Sequence, residues 1–234
     1  MGDQERTIIE PKKKLRILIA CEESQVVCKA FRERGHEAYS CDIQECSGGH
    51  PEWHLQMDAF KALYGHGKWD LVIAHPPCTR IANSGVRWLA SKVKRPGYSW
   101  NEANKIYLRN DENIWKDLYD AVKFFNGFIL YGKLGHKIAI ENPIPHRYAK
   151  MELTAEYTQI VNLWWFGHME TKQTCLWLFG LDELVETKNV YKEMMELPYA
   201  ERAKVHYASP GTNRAKLRSE TRPGFAKAMA EQWG

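Results

Sequence analysis

Trp69-Asp-Leu-Val-Ile-Ala-His-Pro-Pro-Cys-Thr-Arg-Ile-Ala-Asn-Ser-Gly85 opens as a buried strand and closes as a loop. Leu71, Val72, Ile73 and Ala74 run apolar without polar alternation, the pattern of a central parallel strand covered on both faces. Pro76-Pro77 stops it, because proline has no N–H for the ladder and restricts the residue before it. Cys78 follows at once. A cysteine delivered from the carboxyl end of a central strand stands where open α/β sheets bind ligands, and an accessible thiolate there is a nucleophile.

Upstream, Leu15-Arg-Ile-Leu-Ile-Ala20 reads as a first strand and Cys21-Glu-Glu-Ser24 as the turn after it. Ser24 is the expected cap of a helix reaching about Arg34, with Val27, Ala30 and Phe31 on its apolar side and Gly35 as its stop. Glu37–Asp42 reads as a second strand ending on an acid, and Asp58 stands at the expected end of a third. This βαβ opening predicts an α/β fold with a Rossmann-like, doubly wound sheet. The first turn lacks the glycines of a phosphate-binding loop. Cys41, Cys46, His50 and His54 are metal-ligand types, but their central spacing is shorter than in zinc fingers, so no metal is expected.

Downstream, Asn83-Ser-Gly85 reads as a turn. Arg80, Arg87, Lys92, Lys94 and Arg95, interleaved with Trp88, Tyr98 and Trp100, suit a nucleic acid backbone and its bases. Gly85 and Gly97 are candidate hinges. A helix is expected from Trp100 to about Tyr131, broken near Asp111 and Asn113. His136–Ile140 reads as a strand delivering Glu141-Asn142-Pro143. A helix is expected over 154–166, a strand at Leu176–Phe179, and a helix over Pro223–Trp233 with proline near its first position. Arg214, Lys216, Arg218 and Arg222 form a basic stretch before that helix.

The bulk properties are those of one globular domain. The chain has 234 residues, 44% hydrophobic and 26% charged, with a net charge of +4 that permits a polyanionic partner. Residues 1–14 are expected to be a polar tail and 15–234 a single domain, with a short insert near 181–212. Six cysteines show no disulfide-framework spacing, the first sixteen residues carry no apolar signal region, and no apolar run is long enough for a membrane helix. A cytoplasmic protein without a membrane partner is the expectation.

Pro76-Pro77-Cys78 resembles the nucleophile motif of the cytosine-C5 DNA methyltransferases, and Glu141-Asn142 resembles their Glu-Asn-Val tripeptide. The order of the first turn, Asp42, Asp58, Pro-Pro-Cys, Glu-Asn, the Leu176 strand and the last helix is similar to that family across nearly the whole chain, as in its small phage-type members. Thr79 stands for the usual glutamine, Pro143 for valine, and no arginine fills the Gln-x-Arg site near Lys172 and Gln173. The resemblance implies S-adenosylmethionine as cofactor, held by Glu22, Glu23, Asp42, Ile43, Asp58 and Pro76. It implies Cys78 as the nucleophile toward carbon 6 and Glu141 as the group at N3, a protonated carboxyl that makes carbon 6 electrophilic. Pro77, Arg80, Asn142, Lys172, Gln173, Arg214 and Arg218 are implied on the substrate side, DNA being the partner and its target base flipped out. The insert is too short for a large recognition domain, so RNA or a free pyrimidine nucleotide is the alternative substrate. Two other readings are an amino-methyltransferase, disfavoured because Cys78 cannot stack on a base, and a catalytically inactive nucleic-acid-binding relative.

Overall fold

The computed structural model describes residues 13–203 and 220–234, with the backbone alone at 86 and 87. Most of the expected polar tail, the end of the expected insert, and Arg214 and Arg218 lie outside the described residues. The strands, in chain order, are β1 (Arg16–Ala20), β2 (Glu37–Asp42), β3 (His54–Gln56), β4 (Leu71–Ala74), β5 (Ala90–Ser91) and β6 (Tyr98–Asn101). They continue with β7 (Ile106–Arg109), β8 (Ile138–Asn142), β9 (Gln159–Asn162) and β10 (Gln173–Phe179). The α-helices are α1 (Val26–Glu33), α2 (Ala59–Gly65), α3 (Glu112–Lys133), α4 (Arg147–Glu152), α5 (Tyr191–Glu196), α6 (Tyr199–Arg202) and α7 (Pro223–Trp233).

Seven strands form one mostly parallel sheet in the order β3-β2-β1-β4-β8-β10-β9, and only β10 runs antiparallel to its neighbours. This is an α/β architecture compatible with a Rossmann-like fold. Strand alternation sorts the core into two layers. Ile17, Ile19, Leu71, Ile73, Ala139 and Leu176 face α1 and α7, meeting Val27, Phe31, Phe225 and Met229. Leu18, Val72, Ile138, Ile140 and Trp177 face the other way, against Ala62 and Leu63 of α2 and Val122, Phe125 and Phe128 of α3. The chain winds from β1 outward to β3, then crosses back to β4 on the other side of β1. The switch crevice of such a sheet therefore lies beyond the carboxyl ends of β1 and β4. No helix among the described residues is long and apolar enough to cross a membrane.

Three expectations need correction. Ser24 does not cap α1: Gln25 is the residue before the helix, at φ 60°, and the Glu22 carboxylate accepts the N–H groups of Val27 (2.6 Å) and Cys28 (3.2 Å). A carboxylate satisfies two orphan donors where a hydroxyl satisfies one, and it suits the positive helix end. The helix expected from Trp100 begins only at Glu112, where Asp111 caps it through the Asn113 N–H at 3.1 Å. The residues before it form an antiparallel sheet, β5-β7-β6, whose Asn101–Ile106 turn is held by Asn101 accepting the Asn104 N–H, with Lys105 at φ 50°. The helix expected over 154–166 is instead strand β9 followed by a 3₁₀ turn, Leu163–Trp165, because β10 offers β9 a free edge to pair with. Its Ile160 and Val161 suit a strand.

The turn after β1 is rigid without glycine. Cys21 and Gln25 both take left-handed backbone, at φ 61° and 60°, which for non-glycine residues costs about 1–2 kcal/mol each. Side chains and the β2–β3 loop hold it. Gln25 donates to His50 O (2.8 Å) and Ser40 Oγ (3.2 Å) and accepts from His50 N–H (3.0 Å), while Ser47 N–H donates to Glu23 O (2.9 Å). Gly48 lies so close that an added Cβ would sit 2.5 Å from Gln25 Cβ and 2.6 Å from the Ser24 carbonyl oxygen. A backbone carbonyl cannot swing aside, so Gly48→Ala is expected to destabilise the fold by about 2 kcal/mol. Thermal unfolding checks this, with a fall of about 5 °C expected at this chain length.

Candidate active site

The predicted nucleophile and the predicted acid arrive at the same end of adjacent strands. In the β4–β8 register Ala74 pairs with Ile140, so His75 is level with Glu141 and Pro76 with Asn142. Asn142 Nδ2 donates to the Pro76 carbonyl at 3.1 Å and ties the two strand ends together. Beyond the prolines, the Cys78 carbonyl accepts the N–H groups of Ile81 (3.0 Å) and Ala82 (2.8 Å), folding the loop back. That loop is then fastened to the segment after Asn142. Asn83 N–H donates to Ile144 O at 2.9 Å, and His146 N–H donates to Ile81 O at 2.9 Å. The His146 ring accepts the Ala149 N–H at Nδ1 (3.1 Å) and donates from Nε2 to Arg80 O (2.7 Å), which defines its tautomer. Burial pushes the His146 pKa down, against the Arg80 carbonyl, so the ring stays neutral and the staple intact.

Glu141 sits at the centre. Strand alternation turns Glu141, His75 and Thr174 to one face, the side of α7. His75 Nδ1 lies 3.2 Å from Glu141 Oε2, and the Thr174 hydroxyl donates to Oε1. Lys172, Thr174, Glu220, Thr221, Arg222 and Phe225 line the cleft beside it with Leu163. Burial is the largest single influence on Glu141 and pushes its pKa up. The hydrogen bond and charge of His75, the Lys172 ammonium and the Thr174 hydroxyl together outweigh it and hold the carboxyl below its usual range. These partners favour the carboxylate form of Glu141 before any ligand arrives.

The other predicted residues divide clearly. Asp42 lies at the end of β2, with Oδ1 accepting the Gln44 N–H at 2.9 Å, and Ile43 beside it is 74% exposed. Asp58 caps α2 through Oδ1, from Phe60 (3.0 Å) and Lys61 (3.1 Å), leaving Oδ2 for another donor. Glu22 is buried and engaged in capping α1, and burial pushes its pKa up against His75 and the two helix N–H groups. Glu23 is partly exposed at the same turn. Pro76 is buried and Pro77 exposed. Arg80 pairs with Asp117 at 2.6 Å, and Gln173 turns outward to Asn162 (3.1 Å). Arg222, the last residue of the basic stretch before the final helix, holds Glu170 through two bonds of 3.1 and 3.0 Å. Lys92, Lys94 and Arg95 are exposed, and Trp88 and Trp100 are about half exposed.

The cysteines also divide. None of the six is in a disulfide. Burial pushes the thiols of Cys28, Cys41 and Cys175 up to about 12 and raises Cys21 as well, which favours the protonated thiol in all four. Cys78 is partly exposed. The His50 ring stacks on Trp53, and His54 bonds Ser40 Oγ and Gln44 O, so neither ring joins Cys41 or Cys46. A cavity of about 330 Å³ lies elsewhere, between β7, α3 and α4, and includes none of the predicted site residues.

Sequence reasoning overlooked His75, Thr174 and His146. Thr174 was legible by period two from Lys172, and His75 by its place between a buried strand and the double proline. No protein-family model matches this chain, and no curated protein matches it.

Proposed function

We propose that the chain is a methyltransferase of the S-adenosylmethionine-dependent type, acting on carbon 5 of cytosine in DNA. The observation that carries this reading is that Cys78, just past β4, and Glu141, at the end of the adjacent parallel strand β8, stand at the switch end of the sheet, where the segments following the two strands are fastened to each other. Adenosylmethionine fits the residues at the neighbouring strand ends. Asp42 offers acceptors for ribose hydroxyls, Ile43 an exposed apolar face for a purine ring, and Asp58 Oδ2 an acceptor for an amino group. The turn after β1 has no phosphate to cradle, which accords with its lack of glycine. When bound, adenosylmethionine supplies the methyl group.

The chain's own residues do the rest. Cys78 adds through sulfur to carbon 6 of the pyrimidine. Glu141 meets N3 and the 4-amino group and stabilises the positive charge that makes carbon 6 electrophilic. Lys92, Lys94, Arg95, Trp88 and Trp100 offer phosphate and base contacts for the strand from which the target base is extruded.

The test is intact-mass spectrometry of the wild-type chain with adenosylmethionine and a duplex containing 5-fluorocytosine, whose fluorine blocks the final loss from carbon 5. A covalent adduct mapped to the peptide bearing Cys78 is the expected result. Tight cofactor binding without an adduct on DNA, and an adduct on a fluorinated pyrimidine nucleotide, would move the substrate from DNA to the nucleotide. The absence of both cofactor binding and an adduct would overturn the enzyme reading.

A further inference from the structure

His75 occupies an unusual position. Its backbone N–H is pinned to Ala20 O at 2.9 Å, and its side chain is only 10% exposed. Nδ1 faces Glu141, while Nε2 is buried with no hydrogen-bond partner. Leaving a buried ring nitrogen unpaired is unfavourable, and such a group calls for an explanation. The charged neighbours point to one. Glu141 lies on one side from β8, the buried Glu22 carboxylate acts on the ring from the turn after β1, and Lys172 reaches Glu141 from the start of β10. Glu141, in turn, has one oxygen on the Thr174 hydroxyl and the other on His75, which fixes its plane and leaves a lone pair on each oxygen for a ligand.

We propose that His75 is the positioning residue of this site, holding Glu141 as an aligned carboxylate and supplying, through Glu141, the proton taken up at N3 of the pyrimidine. The proposal rests on the cytosine reading above. It also resolves a difficulty in that reading: a group already ionised cannot protonate N3 unless a proton reaches it first. The imidazolium Nδ1–H bond breaks as an O–H bond forms on Glu141 Oε2, and a Glu141 O–H bond breaks as N–H forms at N3. One positive charge passes from His75 to the ring, His75 is left as the neutral Nε2–H tautomer, and an electron pair of the Cys78 thiolate, its proton already given up to solvent, forms the bond to carbon 6. When Cys78 later leaves, the N3 proton returns by the same route.

His75→Asn tests this, since asparagine places an N–H near Nδ1 but cannot ionise. The rate of 5-fluorocytosine adduct formation is measured from pH 5.5 to 8.5 in both proteins, with cofactor affinity determined by calorimetry. Glutamate-carboxyl ¹³C resonances are titrated in both proteins without ligand, Glu141 being assigned from Glu141→Gln. In the wild type the Glu141 signal should show a second inflection in the histidine range, and His75→Asn should lack it. The variant should bind cofactor within about twofold of wild type, form adduct roughly 10- to 100-fold more slowly, and lose the wild-type pH limb. A wild-type Glu141 signal with no histidine-range inflection would overturn the proposal, as would an unchanged rate and pH profile in the variant. If the wild type forms no adduct at all, the cytosine reading fails, and the wild-type carbon titration still decides whether His75 and Glu141 share a proton.

Discussion

Glu141→Gln is expected to slow adduct formation on cytosine roughly 1,000-fold while leaving cofactor affinity within about twofold. Glutamine keeps the length and nearly the volume of the side chain, so the cleft that Glu141 lines with Leu163 and Phe225 keeps its shape. What it removes is the charge. An amide cannot carry a proton to N3, and its NH₂ would oppose either the Thr174 hydroxyl or His75 Nδ1, both of which now donate to a carboxylate. Single-turnover adduct formation, with calorimetry of adenosylmethionine in parallel, measures both halves of the expectation. A variant within a few-fold of wild type would remove Glu141 from the chemistry and return it to a structural role. Stability should respond to pH in a defined direction. The folded Glu141 titrates below its ordinary value of 4.5, so its contribution is fully present above that value and is lost as the pH falls through the folded pKa. The difference in stability between wild type and Glu141→Gln should therefore shrink on acidification below about pH 4.5.

The same residue shows what a sequence can and cannot convey about such a site. Leu71–Ala74 is apolar on both faces, and the double proline ends it abruptly. The central strand and the placement of Cys78 at its carboxyl end were therefore legible, and Glu141 followed from a second strand of the same kind. The terminal helix was legible to the residue, because Pro223 starts it. The electrostatic state of Glu141 was not, since it depends on His75 and Thr174, which lie 66 and 33 positions away and meet it only through the β4–β8–β10 pairing. The two misread helices have a similar cause. Ile106 and Ile114 fit a helical period, and only the Asn101–Lys105 turn and the pairing of Ser99 with Leu108 and Trp100 with Tyr107 reveal a hairpin. Strand β9 has four residues and exists because β10 runs beside it. Local propensity cannot anticipate a partner strand.

Arg222→Met is expected to destabilise the chain by about 3–5 kcal/mol, and Arg222→Met with Glu170→Met to recover most of that loss. The Arg222 and Glu170 side chains are only 15% and 7% exposed, and their two bonds are parallel, the fork geometry in which arginine binds a carboxylate best. Removing the arginine alone strands a buried negative charge, whereas replacing both with methionine fills the volume with apolar atoms. Thermal melts of the wild type, the two single variants and the double variant close the cycle. A drop of roughly 10 °C is expected for Arg222→Met. The pair also lies at the start of α7, where the Gly224 N–H donates to His168 Nε2 at 2.9 Å, and Arg222 and Phe225 line the cleft beside Glu141. If the pair is scaffold, adduct formation should fall in the single variant and return with stability in the double one. If the double variant regains its melting temperature but not its rate, the Arg222 guanidinium acts on the substrate or on Glu141 directly. The cleft would then owe to α7 part of what the Gln-x-Arg arginine would have supplied from β10.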